Sequence, residues 1–161
     1  MSSSAPAALR RAVQLMYVGA GLSAASAVVS LTLYDNVRAG IEQHNSARPS
    51  GRMTPVEIDQ AAHTTVTVLA MTAAVSVVVW IIMAVLNRRG RWWARIAATV
   101  LTLFCLLQTW SFLTRGHPTV LAGLLSVALA IVAVAATALL WRPENAAHFG
   151  QSVPEKSEES A

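Results

Sequence analysis

Residues 64–87 read TTVTVLAMTAAVSVVVWIIMAVLN, a stretch without any charged side chain. A helix needs about 20 consecutive apolar residues to cross the hydrocarbon of a bilayer. Three further uncharged stretches of comparable length occur, at residues 12–34, 96–114 and 118–141. The sequence therefore predicts an all-α fold, a four-helix transmembrane bundle with spans at about 12–34, 64–87, 94–114 and 118–141.

The composition agrees with this interpretation. Hydrophobic residues make up 55% of the chain and charged residues 12%, whereas a soluble domain carries about 25% charged residues. The net charge of +4 would suggest a nucleic-acid partner in a soluble protein. Between membrane spans, arginine is better explained as a topology signal, so no nucleic-acid partner is predicted.

The distribution of basic residues predicts the orientation. With the N-terminus in the cytoplasm, the inner side holds Arg10, Arg11, Arg88, Arg89, Arg91, Arg95, Arg142 and Lys156. The outer side then holds Arg38, Arg48, Arg52 and Arg115. Because basic residues concentrate on the cytoplasmic side of membrane proteins, both termini are predicted to be cytoplasmic.

Between its ends the chain is expected to form a single domain, residues 10–142. Residues 1–9 are rich in Ser, Ala and Pro and are expected to be disordered. The polar tail, residues 143–161, is also expected to be disordered, with Pro143 ending the last helix. Residues 115–118 are predicted to form a tight turn.

The beginning of the chain has an alternative interpretation. Arg10 and Arg11 before an apolar run, with small residues at 25–27, resemble a secretory signal. Signal peptides have apolar regions of about 7–15 residues, and residues 12–34 form a longer run. An uncleaved first span is therefore favoured.

The longest connection, the outer loop at residues 35–63, contains a helix-start signal. Thr54, Pro55 and Glu57 occupy the N-cap, first helical and third helical positions of a capping box. We expect spans 1 and 2 to extend as helices beyond the outer leaflet, joined by a turn near residues 45–52. The alternative is an irregular loop.

The spans lack the residues that several membrane chemistries require. No Asp, Glu, Lys, Arg or His lies within the four uncharged stretches, although such residues mark ion paths and proton relays. A small multidrug exporter needs an embedded glutamate, a thiol redox enzyme needs paired cysteines, and haem or di-iron bundles need internal histidines. An enzyme is therefore not predicted, nor is a cofactor.

Two minority hypotheses concern the outer loop. Asp59 and His63 are four residues apart and share a helix face, but zinc requires three or four protein ligands. The other candidates, Glu42 and His44, would have to meet them across the hairpin, and no metal site is predicted. The second hypothesis is that the protein is a lipid-processing enzyme. Its acidic and imidazole groups would then lie in the same loop, at Asp35, Glu42, Glu57, Asp59 and His63.

Small and hydroxyl residues recur at helical spacing within the spans. In spans 1 and 4 the stripes are Gly19, Ser23, Ser26 and Ser30, and Ser126, Ala130, Ala133 and Thr137. Small residues allow membrane helices to approach closely, so these stripes are predicted to be helix-packing surfaces. The alternative is a polar passage lined by Thr99, Thr102, Gln108 and Thr109.

The link between spans 2 and 3 is strongly basic. It carries Arg88, Arg89, Arg91, Trp92, Trp93 and Arg95. Tryptophan is enriched at the headgroup level and arginine is attracted to anionic lipid. These six residues are predicted to contact lipid headgroups, although a simple topology anchor also explains them.

Three segments of the sequence are similar to those of a known group of proteins. They are RRAVQLMYVGA at residues 10–20, GRWWAR at 90–95 and ATVL at 98–101. Residues 9–142 resemble small four-span membrane proteins, largely uncharacterised, of actinobacteria such as mycobacteria and their relatives. The resemblance implies the fold and the membrane location. It implies no activity, ligand or catalytic residue.

These observations favour a multi-pass protein of the bacterial plasma membrane. We predict a non-catalytic structural or accessory role, exerted through protein contacts or through anionic lipid headgroups. The alternative is a small transport or channel subunit that works as a homo-oligomer.

Overall fold

The structure, a computed structural model, describes residues 6–115 and 119–150. Five α-helices account for most of this part of the chain. They are α1 (Ala7–Leu31), α2 (Tyr34–Ser46), α3 (Pro55–Arg88), α4 (Trp92–Arg115) and α5 (Val120–Leu140), followed by two 3-10 turns, Pro143–Asn145 and Ala147–Phe149. All of these helices except α2 are long and apolar enough to cross a membrane, which confirms the prediction of an all-helical chain with four such helices.

Local sequence signals set several helix ends. The predicted capping box is present: the Thr54 hydroxyl accepts from the Glu57 backbone N–H, and the Glu57 carboxylate accepts from the Thr54 backbone N–H at 2.7 Å. Thr119 caps α5 in the same way through the backbone N–H of Ala122. Helix α3 ends at Arg88, and Gly90, which follows its C-cap residue, adopts a left-handed conformation (φ 69°) that glycine tolerates.

Helix α1 ends earlier than the uncharged stretch does. A continuous span to residue 34 was expected, but α1 stops at Leu31 and α2 starts at Tyr34. The hydroxyls of Ser30 and Thr32 donate to the carbonyls of Ser26 and Val29, each at 2.8 Å. At the end of α1 the backbone bonds span three residues, from Thr32 to Val29 and from Leu33 to Ser30, and the Thr32 hydroxyl follows the same pattern.

Helix α3 continues well beyond its apolar segment. With 34 residues it is about 51 Å long at the standard helical rise, whereas the hydrocarbon core is about 30 Å thick. Its N-terminal part, residues 55–63, packs against α2. We call α2 together with residues 47–63 the α2–α3 hairpin.

The long helices pack unevenly. Helix α1 packs extensively against both α3 and α5, and α4 packs against α5, whereas α3 and α4 contact each other little. The main core lies near the α3–α4 turn. It is formed by Leu9, Ala12, Val13, Met16, Met83, Ala84, Ala94, Ala98, Ala136, Leu140 and Phe149.

Both expected disordered ends need correction. Residues 7–9 belong to α1, and Leu9 is buried in the core. Residues 143–149, which we call the terminal segment, fold into the two 3-10 turns and bury Asn145 and Phe149. The disorder predicted for residues 1–5 and 151–161 lies outside the described residues, as do residues 116–118 of the turn predicted at 115–118, whereas Arg115 belongs to α4.

Candidate functional site: a cavity between the long helices

A cavity of about 460 Å³ runs between the four long helices. It extends from Met16 and Met83, next to the core, to Leu33 and Phe112 near the opposite end of the bundle. Protein pockets that hold small ligands have volumes of about 300–1,000 Å³. The size of the cavity is therefore within the range of a ligand site.

Several hydroxyl groups line this cavity, and most have partners within the protein. Ser26, Ser30 and Ser76 donate to backbone carbonyls one turn earlier, at 2.8 to 2.9 Å. The Thr102 and Thr137 hydroxyls share a 2.7 Å hydrogen bond that joins α4 to α5. These groups add polarity to the wall without being free to bind a ligand through their donor hydrogens.

Two polar side chains on the cavity wall differ from the others. The hydroxyl of Ser23 is buried, at 1% exposure of the residue, and has no hydrogen-bond partner. Gln108 on α4 is exposed; its amide also lines the cavity and makes no side-chain hydrogen bond within residues 6–115 and 119–150. A hydroxyl and an amide are therefore available on two different helices.

The small-residue stripes lie at helix contacts and along the cavity. Gly19 lies beneath the indole of Trp80, and Ala130 and Ala133 are buried. Ser126 donates to the Thr109 hydroxyl at 3.2 Å, which joins α5 to α4. In addition to Ser23, the stripe residues that line the cavity are Ser26, Ser30, Ser126, Ala133 and Thr137.

Of the four residues that the sequence suggested as the lining of a polar passage, three lie on the wall of this cavity. Thr102, Gln108 and Thr109 line the cavity. Thr99 has a different position, since its hydroxyl accepts a 2.9 Å hydrogen bond from the Trp141 indole. The sequence indicated the polar residues of α4, but the spacing alone did not predict that α1 and α3 would complete the cavity.

The basic link is mostly exposed. Arg88, Arg89, Arg91, Trp92 and Trp93 are all accessible at the α3–α4 turn, with Trp92 61% exposed. Arg95 is the exception at 3% exposure, so the expectation that it contacts lipid headgroups is wrong. Its position one turn into α4 directs the side chain inward, toward the terminal segment.

Arg95 lies between two aromatic rings. Its guanidinium carbon is 4.5 Å from the Trp141 ring centroid and 4.8 Å from that of Phe149. Cations are attracted to aromatic faces, more strongly when desolvated. This arrangement fastens the terminal segment to α4, and sequence inspection missed it because the tail composition resembles that of a disordered segment.

The terminal segment also closes over the α3–α4 turn. The amide of Asn145 donates to the Leu139 carbonyl at 2.8 Å, and Asn145 is completely buried. The backbone carbonyl of His148 lies so close to Gly90 that a β-carbon there would be 2.7 Å from it. Glycine at position 90 therefore serves both the turn and the docking of the segment.

The α2–α3 hairpin contains a connected polar cluster. Asp59 accepts hydrogen bonds from the Tyr34 hydroxyl at 2.6 Å and from Arg38 Nε at 3.0 Å, and Arg38 also pairs with Glu42 at 2.7 Å. The ring of His63 lies 4.5 Å from that of Tyr34. The hydrogen bond to Asp59 raises the pKa of Tyr34 above its usual value.

These contacts bear on the two minority hypotheses. Asp59 is occupied by Tyr34 and Arg38, and Glu57 by the cap at Thr54. Within the described ranges, no group of three His, Cys, Asp or Glu residues is placed to hold a metal ion. Glu42, Glu57 and Asp59 therefore act as structural partners here.

In comparisons with known proteins, no family model, curated protein or solved structure matches this chain.

Proposed function

We propose that this chain is a multi-pass protein of the bacterial plasma membrane with both termini in the cytoplasm, of the actinobacterial four-span type it resembles. The four long apolar helices support membrane insertion. The excess of basic residues near the α3–α4 turn supports the orientation. In this orientation the α2–α3 hairpin lies outside the cell.

Within the membrane, the chain acts as a non-catalytic accessory protein through protein or lipid contacts. The observation that carries this proposal is the α2–α3 hairpin, a helical projection held by Tyr34, Arg38 and Asp59. Its exposed positions, such as Asn36 and Gln43, present polar groups to a partner protein. On the opposite side, exposed Arg88, Arg89 and Arg91 suit anionic headgroups.

Crosslinking in intact cells tests the accessory role. A photo-crosslinking residue at Gln43 is expected to capture one protein partner reproducibly, whereas the same residue at lipid-facing Val75 is not. Asp59→Ala removes the acceptor of both hairpin bonds and should reduce capture from Gln43. Identical capture from both positions, or none from the hairpin, would contradict the proposal.

Cysteine labelling tests the orientation separately. Cys105 is first replaced by alanine, and a single cysteine is then placed at Ser46 or at Glu144, both of which are exposed. An impermeant reagent added to intact cells should label position 46 and not position 144. Glu144 is preferred to a position in the basic link because its replacement leaves every arginine in place.

The cavity favours a second candidate, a transport or channel subunit that works as a homo-oligomer. Its hydroxyl-lined wall crosses a large part of the bundle. Mass measurement in native lipid discs distinguishes the two candidates. A symmetric oligomer supports the transport subunit, and a strictly monomeric chain rules against it.

A further inference from the structure

The cavity leads to an inference that goes beyond an accessory role. Its wall contains hydroxyl, amide, thiol and apolar side chains, and none of the described lining residues is Asp, Glu, Lys, Arg or His. A charged ligand inside a membrane would lack a counter-ion here, which is unfavourable in a medium of low polarity. The wall therefore selects for an uncharged molecule.

The two unpartnered side chains specify a polar feature of that molecule. Ser23 is buried and its hydroxyl has no partner, and the Gln108 amide lines the same cavity. Polar groups placed in an apolar medium without hydrogen bonds are costly. A ligand carbonyl or hydroxyl would satisfy these groups, because both can donate a hydrogen bond.

The packing of the helices indicates where the ligand comes from. Helices α3 and α4 form opposite walls of the cavity but contact each other little, since α3 packs on α1 and α4 packs on α5. In a bilayer, a gap between two spanning helices faces lipid. A molecule dissolved in the membrane therefore has a direct path to the cavity and to Gln108, which is exposed.

We propose that the cavity binds one neutral lipid, an apolar molecule with an uncharged carbonyl or hydroxyl head, taken up from the bilayer between α3 and α4. Two kinds of membrane molecule share this chemistry, isoprenoid quinones and diacylglycerols. A phospholipid of the same chain length lacks it because its head is charged.

Native mass spectrometry of the full chain in mild detergent tests the proposal. The probes are a short-chain isoprenoid benzoquinone, dioctanoylglycerol and dioctanoyl phosphatidate. We expect one molecule of the benzoquinone or of dioctanoylglycerol per chain, and weaker binding of the phosphatidate. The neutral probe that binds more tightly identifies the source of the ligand.

Two substitutions connect binding to the proposed groups. Ser23→Ala and Gln108→Met each remove one hydrogen-bonding group and suit an apolar helix. Each should weaken the Kd of the neutral probe about tenfold, the effect of losing one hydrogen bond in a buried site. Gln14→Met is the matched control, because Gln14 is a glutamine of α1 that does not line the cavity.

Several results would overturn the proposal. Equal Kd values for the original chain and both cavity variants would do so, as would equal weakening by Gln14→Met. Preferential binding of phosphatidate would contradict a neutral ligand. A dimer that Gln108→Met converts to monomer, without bound probe in either form, would show that a second copy fills the gap. Circular dichroism confirms that each variant retains its helices, and crosslinking from Gln43 tests the accessory role independently.

Discussion

The indole of Trp80 lies directly against the α-carbon of Gly19. A β-carbon at position 19 would be 2.7 Å from Cε2 of Trp80. This contact brings α1 and α3 together in the middle of the bundle, where a larger residue would hold them apart. It explains why a glycine occupies this position of the α1 stripe and why Trp80 lies deep in its span rather than at an interface.

Gly19→Ala is expected to destabilise the protein by about 1–3 kcal/mol, the usual cost of inserting a methyl group into a packed site. Gly21→Ala is the matched control, because a β-carbon there meets nothing within 4 Å and alanine is the better helix former. Unfolding in detergent, followed by circular dichroism, measures both. A loss of stability shared equally by the two variants would contradict the assignment.

Gly90→Ala is expected to cost more stability than Gly51→Ala. Both glycines have φ of 69°, but only Gly90 faces a backbone carbonyl, that of His148. The left-handed conformation costs about 1–2 kcal/mol in either variant. The difference between the two free energies of unfolding therefore reports the docking of the terminal segment. Removing the terminal segment together with residues 150–161 should reduce that difference to near zero.

Arg95→Lys is expected to loosen the terminal segment. Lysine lacks the planar guanidinium that stacks between Trp141 and Phe149, and a desolvated cation–aromatic contact contributes about 2 kcal/mol. Chymotrypsin cleavage at Phe149 should become faster, as it should in a variant with Trp141 replaced by alanine. Arg91→Lys controls for the loss of an exposed arginine, and equal cleavage rates in the two lysine variants would refute this role of Arg95.

The Thr102–Thr137 hydrogen bond should be measurable by a double-mutant cycle. Valine at each position keeps the shape and removes the hydroxyl. Because hydrogen bonds between membrane helices contribute about 0.6 kcal/mol on average, we expect a coupling energy of that size between the two sites. A coupling of zero would mean that this hydrogen bond contributes nothing to the stability of the α4–α5 contact.

The hairpin is expected to respond to alkaline pH through Tyr34. Its pKa is raised, first by the hydrogen bond to Asp59, so the protonated phenol is favoured in the folded hairpin. The stabilisation is complete below the unfolded tyrosine pKa of about 10 and is lost as the pH rises through the folded value.

Tyrosinate absorbance in a Tyr17→Phe background checks this expectation, since Tyr34 is then the remaining tyrosine. Asp59→Ala should return the midpoint toward its usual value. Asp35→Ala is a control on the same helix as Tyr34, because Asp35 contributes the smallest of the effects on Tyr34. An unchanged midpoint in Asp59→Ala would show that the bond does not persist in solution.

Local features of the fold were predictable. The capping box at Thr54 and Glu57 depends on residues three positions apart, so the start of α3 follows from a few neighbouring letters. The end of α1 could not be predicted in this way, because Ser30 and Thr32 occur within an otherwise apolar run. The change in backbone hydrogen bonding at Thr32 and Leu33 marks the break, and composition averages over single residues.

The candidate site was less accessible to prediction. Spacing placed Ser23 and Gln108 on their helices, but the cavity exists only because α1 packs between α3 and α5 while α3 and α4 stay apart. Arg95 was predicted to contact lipid headgroups together with the other residues of the basic link. Its burial depends on Phe149, which lies more than fifty residues later.

By itself, the sequence determined that four helices are suited to hydrocarbon, because apolar stretches of sufficient length exclude charge and satisfy their own backbone hydrogen bonds. Only the tertiary structure decided which faces meet, which leave a cavity, and which polar groups remain without a partner. The physical reason is that hydrophobic suitability is a property of each segment, whereas a contact such as that of Tyr34 with Asp59 exists only after distant segments have packed.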